Sequence, residues 1–126
     1  MVAVDTNILL RIVTRDDEKQ AAVADAFITR GAWVSHLVLA EVVWVLRTTY
    51  RREHDEIANA IEMLLSHQDL TIQDTHVVEE ALQHYRNRPA LGFSDCLVLE
   101  IARKAGHLPL GTFDRVLSKL DGAERI

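Results

Sequence analysis

Four acidic residues draw attention because each lies beside or within an apolar segment: Asp5, Glu41, Asp95 and Asp114. Asp5 and Asp114 each follow a short apolar run, whereas Glu41 and Asp95 lie within or beside longer apolar segments. The residues four positions before and after Glu41 and Asp95 are all leucine or valine, so neither acid can form a local salt bridge on a helix. Because removing an unpaired carboxylate from water is costly, these acids need another reason for their positions.

Divalent cations would supply that reason if the four carboxylates converge. Two like charges about 4 Å apart repel by roughly 4 kcal/mol at an effective dielectric of about 20, so such a cluster must take up protons or bind cations. Oxygen ligands with room for water suit Mg²⁺ or Mn²⁺ far better than zinc. These ions can activate a water molecule and stabilise a leaving oxygen, which suits phosphodiester hydrolysis and requires no nucleophilic side chain.

Helix capping is a simpler explanation for three of the four acids. Asp5, Asp95 and Asp114 can each lie at the start of a helix, where a carboxylate accepts backbone N–H groups and interacts favourably with the helix dipole. Glu41 fits capping badly because it lies inside a helical segment. The two explanations are compatible, since residues that begin helices after parallel strands also face the ligand crevice.

Short apolar runs alternate with helical patterns along the whole chain. The predicted strands are Val2–Val4, Ala32–Val34, Leu70–Ile72 and Leu108–Gly111, with a short edge strand at Glu124–Ile126. The predicted helices are 7–13, a helix capped by Asp16 that ends before Gly31, 37–50 with Ser35 as its cap, 55–66, a helix from the cap Asp74 to Arg86, one from Phe93 or Ser94 to Lys104, and 113–120. This alternation predicts one domain, residues 1–126, with a three-layer α/β/α fold around a mostly parallel sheet.

Composition narrows the class of protein. The 126 residues carry a formal net charge of −5, which argues against nucleic-acid binding by bulk charge but leaves room for acids that hold cations. No apolar run is long enough for a membrane span, and the N-terminal residues do not resemble a signal peptide, so we expect a cytoplasmic protein. Cys96 is the only cysteine, and we expect it to be a buried helix residue rather than a nucleophile.

Short motifs around the four acids resemble those of a known family. They are Val4-Asp5-Thr6-Asn7, Leu39-Ala40-Glu41-Val42, Phe93-Ser94-Asp95-Cys96-Leu97 and Gly111-Thr112-Phe113-Asp114. In order and spacing, over nearly the whole chain, they resemble PIN-domain ribonucleases and specifically the VapC toxins of bacterial and archaeal toxin–antitoxin pairs. The resemblance implies that the four acids bind metal and that Asn7 and Thr112 orient the carboxylates or a metal-bound water. Ser94 stands where the family often has alanine.

The resemblance also implies a function and partners. It predicts an Mg²⁺- or Mn²⁺-dependent endoribonuclease that acts as a toxin, cuts RNA, binds a small antitoxin protein and forms a homodimer. The helix that contains Trp44 is apolar almost all round, so it is either deeply buried or the place for such protein contacts. Arg11 and Arg15 are the first candidates for RNA binding because they lie one helical turn apart near Asp5.

Other functions remain open at this point. A PIN-like domain can serve only to bind a partner, although all four acids are present here. A small metal-dependent phosphatase of the haloacid dehalogenase type also begins with an aspartate after a strand, but it normally has a second aspartate where Asn7 stands. A response-regulator receiver needs a lysine after its fifth strand, and no suitable lysine follows Leu110.

Overall fold

A computed structural model describes all 126 residues and divides them into two compact units. The first unit is Met1–Thr75 and the second is His76–Ile126. The single domain predicted from the sequence stays a prediction. No helix is long and apolar enough to cross a membrane.

The first unit contains a three-stranded parallel sheet and four helices. Its elements are β1 (Val2–Ala3), α1 (Thr6–Thr14), α2 (Glu18–Ile28), β2 (Ala32–Val34), α3 (His36–Thr48), α4 (His54–Ser66) and β3 (Leu70–Ile72). The strand order is β1-β2-β3, with Ala32 opposite Val2 on one side and Leu70 on the other. Two helices separate each pair of consecutive strands, which allows every strand to run in the same direction.

The second unit contains two helices and a parallel strand pair. Its elements are α5 (Thr75–Asn87, which begins at the boundary), α6 (Phe93–Ala105), β4 (Leu110–Thr112), a short 3₁₀ helix (Leu117–Lys119) and β5 (Ala123–Arg125). β4 and β5 pair with Leu110 opposite Ala123. Gly106 ends α6 with a φ of 82°, a left-handed conformation that glycine adopts without a steric penalty.

Helix starts in the first unit are fixed by side-chain oxygens. Ser35 caps α3, as predicted, by accepting a 3.1 Å hydrogen bond from the Val38 N–H. The predicted cap of α2 was wrong by one residue, because Asp17 accepts the Gln20 N–H while Asp16 faces α1 and accepts hydrogen bonds from its side chains. A short polar side chain at either position satisfies the sequence pattern, so the pattern alone does not choose between them.

The predicted last helix, 113–120, was also wrong. Only Leu117–Lys119 is helical, and it is a 3₁₀ turn. The Asp114 carboxylate caps this turn by accepting the N–H groups of both Val116 and Leu117 at 2.8 Å. The helical turn is short because the chain must reverse before β5, which begins at Ala123 directly after Gly122 with its φ of 94°. β4 accordingly continues to Thr112, two residues before this aspartate.

Helix α3 is buried on one side only, although its sequence is apolar almost all round. Leu39, Val42, Val43 and Leu46 are buried in the core. Leu37 and Trp44, by contrast, are 71% and 58% exposed. Of the two interpretations of this helix made from the sequence, deep burial is therefore wrong, and an apolar face remains open to solvent.

A buried carboxylate organises the second unit. Glu100 on α6 is 5% exposed, and its carboxylate lies 3.1 Å from His84 Nε2 of α5 and 3.1 Å from Arg103 Nε. The Arg103 guanidinium in turn donates a 2.6 Å hydrogen bond to the carbonyl oxygen of Asp121, just before β5. This chain of contacts joins both helices to the turn that leads into the last strand.

The cap of α3 gives a stability prediction. We expect Ser35→Ala to lower the free energy of unfolding by about 1 kcal/mol, because the Val38 N–H loses its acceptor. Ser94→Ala is the matched control, since Ser94 is exposed in the first turn of α6, and it should stay within about 0.5 kcal/mol of wild type. Urea denaturation measures both, and equal stabilities would contradict the assigned cap.

Candidate active site

In the first unit, Asp5 and Glu41 are linked through the residue that follows Asp5. Asp5 is exposed after β1, and its Oδ1 accepts a 3.1 Å hydrogen bond from the Ile8 N–H, which makes it the N-cap of α1. Thr6 Oγ1 donates a 3.0 Å hydrogen bond to Glu41 Oε2 on α3. Each carboxylate therefore has one oxygen held by the protein, and its other oxygen accepts no hydrogen bond from it.

Glu41 is exposed, which corrects the premise that its apolar neighbours in sequence bury it. It lies on the solvent side of α3, four residues after Leu37 and three before Trp44, at the spacing that places residues on one helix face. The free-energy cost of burial thus does not explain this acid. Its hydroxyl partner and its free oxygen do fit a ligand-binding role.

In the second unit, hydrogen bonds fix the position of Asp114. Its Oδ1 accepts two backbone N–H groups of the following turn, and its own N–H donates a 3.0 Å hydrogen bond to Thr112 Oγ1. The Asp114 side chain is exposed, and the hydrogen bonds leave Oδ2 free. Thr112 therefore holds the backbone of the acid, a role close to the orienting one expected for it.

Asp95 lies in the first turn of α6 and accepts no hydrogen bond from the protein. Partial burial raises the pKa of its carboxyl, and the nearby negative charge of Asp114 raises it further. The second effect indicates an unfavourable electrostatic interaction between these two carboxylates. A cation between or beside them would remove this unfavourable interaction.

Cys96 follows Asp95 and is fully buried. Burial, together with the charge of Asp95, raises the pKa of its thiol to about 12, so the thiol stays protonated at neutral pH. The expectation that Cys96 is a buried helix residue is confirmed.

The structure thus shows two pairs of acids, one pair in each unit. Asp5 and Glu41 are linked by Thr6 in the first, and Asp95 and Asp114 interact in the second. No group of three or more His, Cys, Asp or Glu side chains that could hold a metal ion is found. The meeting of all four acids in one pocket stays a prediction.

Asn7 lines a cavity of about 340 Å³ between α1 and α2. The other lining residues are Ile8, Arg11, Lys19, Gln20 and Val23. Asn7 is exposed, and its amide makes no hydrogen bond within the protein. The amide is therefore available to a ligand near Asp5.

The two arginines predicted to bind RNA both have carboxylate partners in the protein. Arg11 Nη1 lies 2.9 Å from Asp16 Oδ1, and the hydroxyl of Tyr50 bonds to both of these residues. The Arg15 guanidinium makes two hydrogen bonds to Asp25, at 2.7 and 3.2 Å. Their role in substrate binding stays a prediction, and phosphate would have to compete with these ion pairs.

Comparison with known proteins decides the family. A sequence profile described as PIN domain matches residues 2–123 of the chain. The chain belongs to the PIN domain family. It is also 27% identical over 125 residues to a VapC ribonuclease of Aquifex aeolicus (strain VF5), covering 95% of this chain and 92% of that protein. The crystal structure of the VapC20 toxin of Mycobacterium tuberculosis, described as cleaving the sarcin–ricin loop, is 18% identical, with 98% of each chain covered and a TM-score of 0.44.

Membership of the PIN domain family confirms the family predicted from the four motifs and the predicted α/β class with its three layers. The Aquifex aeolicus relative bears out the resemblance to VapC ribonucleases, and both findings support the predicted nuclease class. The individual site residues are not tested by these comparisons and stay predictions.

Sequence reasoning missed two residues of this PIN domain that contact predicted site residues. Thr6 was treated as part of a motif, although its hydroxyl contacts Glu41, which lies 35 positions away. Tyr50 was not considered, although it joins Arg11 to Asp16. A hydroxyl residue directly after a strand-end acid is a signal that could have pointed to Thr6. For Tyr50 the sequence offers no comparable signal.

The raised pKa of Asp95 gives a pH-dependent stability prediction. Between its usual pKa and the raised one, the folded state binds more protons than the unfolded state, so stability falls as pH rises through this window. Without metal, Asp95→Asn should therefore be more stable than wild type at pH 7. Below the usual carboxyl pKa this gain should disappear, because Asp95 is then protonated in both states.

Urea denaturation in EDTA, at pH 7 and at a pH below the usual carboxyl pKa, measures the difference in stability between Asp95→Asn and wild type. Asp5→Asn is the matched control, because an asparagine at this exposed cap keeps the acceptor for the Ile8 N–H and should give no gain. A loss of stability in Asp95→Asn at pH 7 would contradict the assigned repulsion.

Proposed function

We propose that this chain is a divalent-metal-dependent endoribonuclease that acts as the toxin of a toxin–antitoxin pair. The observation that carries the proposal is the way the acids are held. Asp5, Glu41 and Asp114 each use one carboxylate oxygen for a hydrogen bond that fixes the side chain, and each leaves the other oxygen free. Membership of the PIN domain family and the Aquifex aeolicus VapC ribonuclease support this function.

The donor set fits a hard divalent cation. All four proposed ligands are carboxylates, which suit Mg²⁺ first and Mn²⁺ as its replacement, and no cysteine or histidine pattern favours zinc. The repulsion between Asp95 and Asp114 gives a second reason, because a bound cation would convert an unfavourable pair into ligands. PIN-domain nucleases of the VapC type generally depend on divalent metal, which agrees with this set.

Each residue has a separate part in the proposed site. Asp5, Glu41, Asp95 and Asp114 would bind the cation, which when bound activates water for attack on phosphorus and stabilises the leaving oxygen. Thr112 keeps Asp114 in place because the Thr112 Oγ1 accepts a hydrogen bond from the Asp114 backbone N–H. The free amide of Asn7 can orient a carboxylate or a water molecule beside Asp5.

The proposed partners are RNA, a small antitoxin and a second copy of the chain. VapC toxins act on RNA and pair with antitoxins, which supports the first two. The exposed Leu37 and Trp44 of α3 supply apolar surface for a protein contact. The alternative is a catalytically silent, partner-binding PIN-like module, which has no use for free carboxylate oxygens. Assays of RNA cleavage and of metal binding therefore distinguish the two functions.

Removing single acids tests the ribonuclease directly. With total bacterial RNA and Mg²⁺ or Mn²⁺, we expect wild type to cleave RNA and EDTA to stop it. Asp5→Asn and Asp95→Asn should each lower the cleavage rate by more than about 100-fold, because each removes a metal ligand. Glu124→Gln is the control, since it removes an exposed acid on β5 and should cleave like wild type.

Undiminished cleavage by purified, folded Asp95→Asn would overturn the mechanism. If wild type neither cleaves RNA nor gains thermal stability from Mg²⁺ or Mn²⁺, the silent binding module would be the better description.

The Thr6–Glu41 hydrogen bond gives a finer test of the metal site. Thr6→Val keeps the side-chain volume but removes the donor to Glu41, so we expect the dissociation constant for Mn²⁺ to rise by about 10-fold or more. Thr6→Ser keeps a hydroxyl and should bind Mn²⁺ nearly like wild type. Isothermal titration calorimetry measures these affinities.

A double mutant shows whether Thr6 acts through Glu41. In a Glu41→Gln background, adding Thr6→Val should change the Mn²⁺ affinity much less than it does in wild type. A full additional loss in that background, or equal Mn²⁺ affinities for Thr6→Val and wild type, would exclude the proposed role of Thr6.

A further inference from the structure

The turn that carries Asp114 also presents an aromatic ring to solvent. Phe113 is 79% exposed, and it lies between Thr112 and Asp114. Burying a side chain of this size stabilises a fold, and this fold does not use that contribution. The core elsewhere does bury phenylalanine, since Phe93 on α6 is only 1% exposed.

The backbone around Phe113 is fixed. The Asp114 N–H donates to Thr112 Oγ1, and Asp114 Oδ1 accepts from Val116 and Leu117 N–H groups, so residues on both sides of the ring are held by hydrogen bonds. β4 ends at Thr112 and is paired with β5. A ligand that contacts Phe113 would therefore pay little conformational entropy for ordering the backbone.

An arginine side chain without a partner in the protein follows Asp114 in the sequence. Arg115 is exposed and makes no ion pair or side-chain hydrogen bond within the protein. The arginines first expected to bind RNA differ in this respect, since Arg11 pairs with Asp16 and Arg15 with Asp25. Arg115 can therefore bind a phosphate without first breaking an internal ion pair.

We propose that Phe113 stacks on an unpaired nucleobase of the RNA substrate and that Arg115 binds a neighbouring phosphate. This inference rests on the proposed ribonuclease function and adds substrate-binding residues to it. Both contacts flank Asp114, so they would hold one nucleotide beside the acid that is proposed to bind metal. Because the face of a base is open to an aromatic side chain only when the base is unpaired, the contact selects single-stranded RNA.

The chemistry of the turn favours RNA over a protein partner. An apolar protein contact would use a patch of several exposed apolar residues. The residues that flank Phe113 along the chain are Thr112, Asp114 and Arg115, and the strand pairing adds one exposed apolar residue, Ile126, whose N–H donates to the Thr112 carbonyl oxygen. A single ring beside a free guanidinium matches the pattern of one base and one phosphate. Contact with a protein partner is therefore kept as an outcome of the test.

Binding assays in the full-length Asp95→Asn background separate these contacts from cleavage. The probes are a fluorescein-labelled pool of random 12-nucleotide RNA and a 12-base-pair RNA duplex, with Mg²⁺ present. Phe113→Ala and Phe113→Leu should weaken binding of the single-stranded pool by about 5- to 150-fold, the range seen when a stacked base loses its aromatic partner. Phe113→Trp should keep the affinity, and duplex binding should not change.

Charge removal tests Arg115 separately. Arg115→Ala should reduce the slope of log affinity against log salt by about 0.7, the value for one phosphate contact on a single strand. Arg115→Lys should keep most of the slope. Phe27→Ala and Arg30→Ala are matched controls, because both side chains are exposed, lie in the last turn of α2 or just after it, and are outside the Asp114 turn, so neither should change binding of the pool.

The outcomes distinguish this inference from the ribonuclease itself. If wild type neither cleaves total RNA nor binds the pool, both proposals fail. If wild type cleaves RNA but Phe113→Ala binds the pool unchanged, or loses pool and duplex binding equally, the stacking proposal alone is overturned. Equal binding by Phe113→Leu and wild type would also overturn it, since an apolar contact would then suffice.

Discussion

Repulsion between carboxylates is the constraint on which the proposed site depends. Two acids on helix α6 differ in whether the protein supplies partners for their negative charge. Glu100 is buried but lies against His84 and Arg103, so its charge has partners within the protein. Asp95 has no hydrogen-bonded partner, and burial and the charge of Asp114 raise the pKa of its carboxyl. Paired carboxylates can be explained by stability alone, whereas an unpaired one that faces a like charge costs stability and is a candidate ligand.

Helix and turn starts position the acids in this protein. Asp5 caps α1 and Asp114 accepts two N–H groups of its turn, so the capping explanation is correct for both residues. Capping uses one carboxylate oxygen and fixes the side chain, while the second oxygen stays available to a cation. The two explanations that the sequence left open therefore describe two oxygens of the same group. This is why a capping pattern alone does not argue against a metal site.

Local patterns predicted the elements well, and contacts between distant residues were not predicted. Strands Ala32–Val34 and Leu70–Ile72 begin and end where their apolar runs do, because turn-forming and polar residues flank them. The pattern of 113–120 is helical and Asp114 does cap a helical turn, but the turn ends at Lys119 because the chain must reverse at Gly122 into β5. The contact between Thr6 and Glu41 spans 35 positions, so only the three-dimensional structure shows it. The exposure of Glu41 follows from the packing of α3, which its uniformly apolar sequence does not specify.

The negative net charge of the protein restricts which interactions can attract RNA to it. A chain with a formal net charge of −5 repels a polyanion at long range, and its arginines differ in how far they can offset this repulsion. Arg11 and Arg15 are neutralised by Asp16 and Asp25, so each ion pair adds little attraction for phosphate. Attraction must then come from groups without internal partners and from cations held by the acids. Binding by such short-range contacts depends on the geometry of the RNA more than on its charge density. Selection of RNA is therefore expected to depend on local structure at the cleavage site.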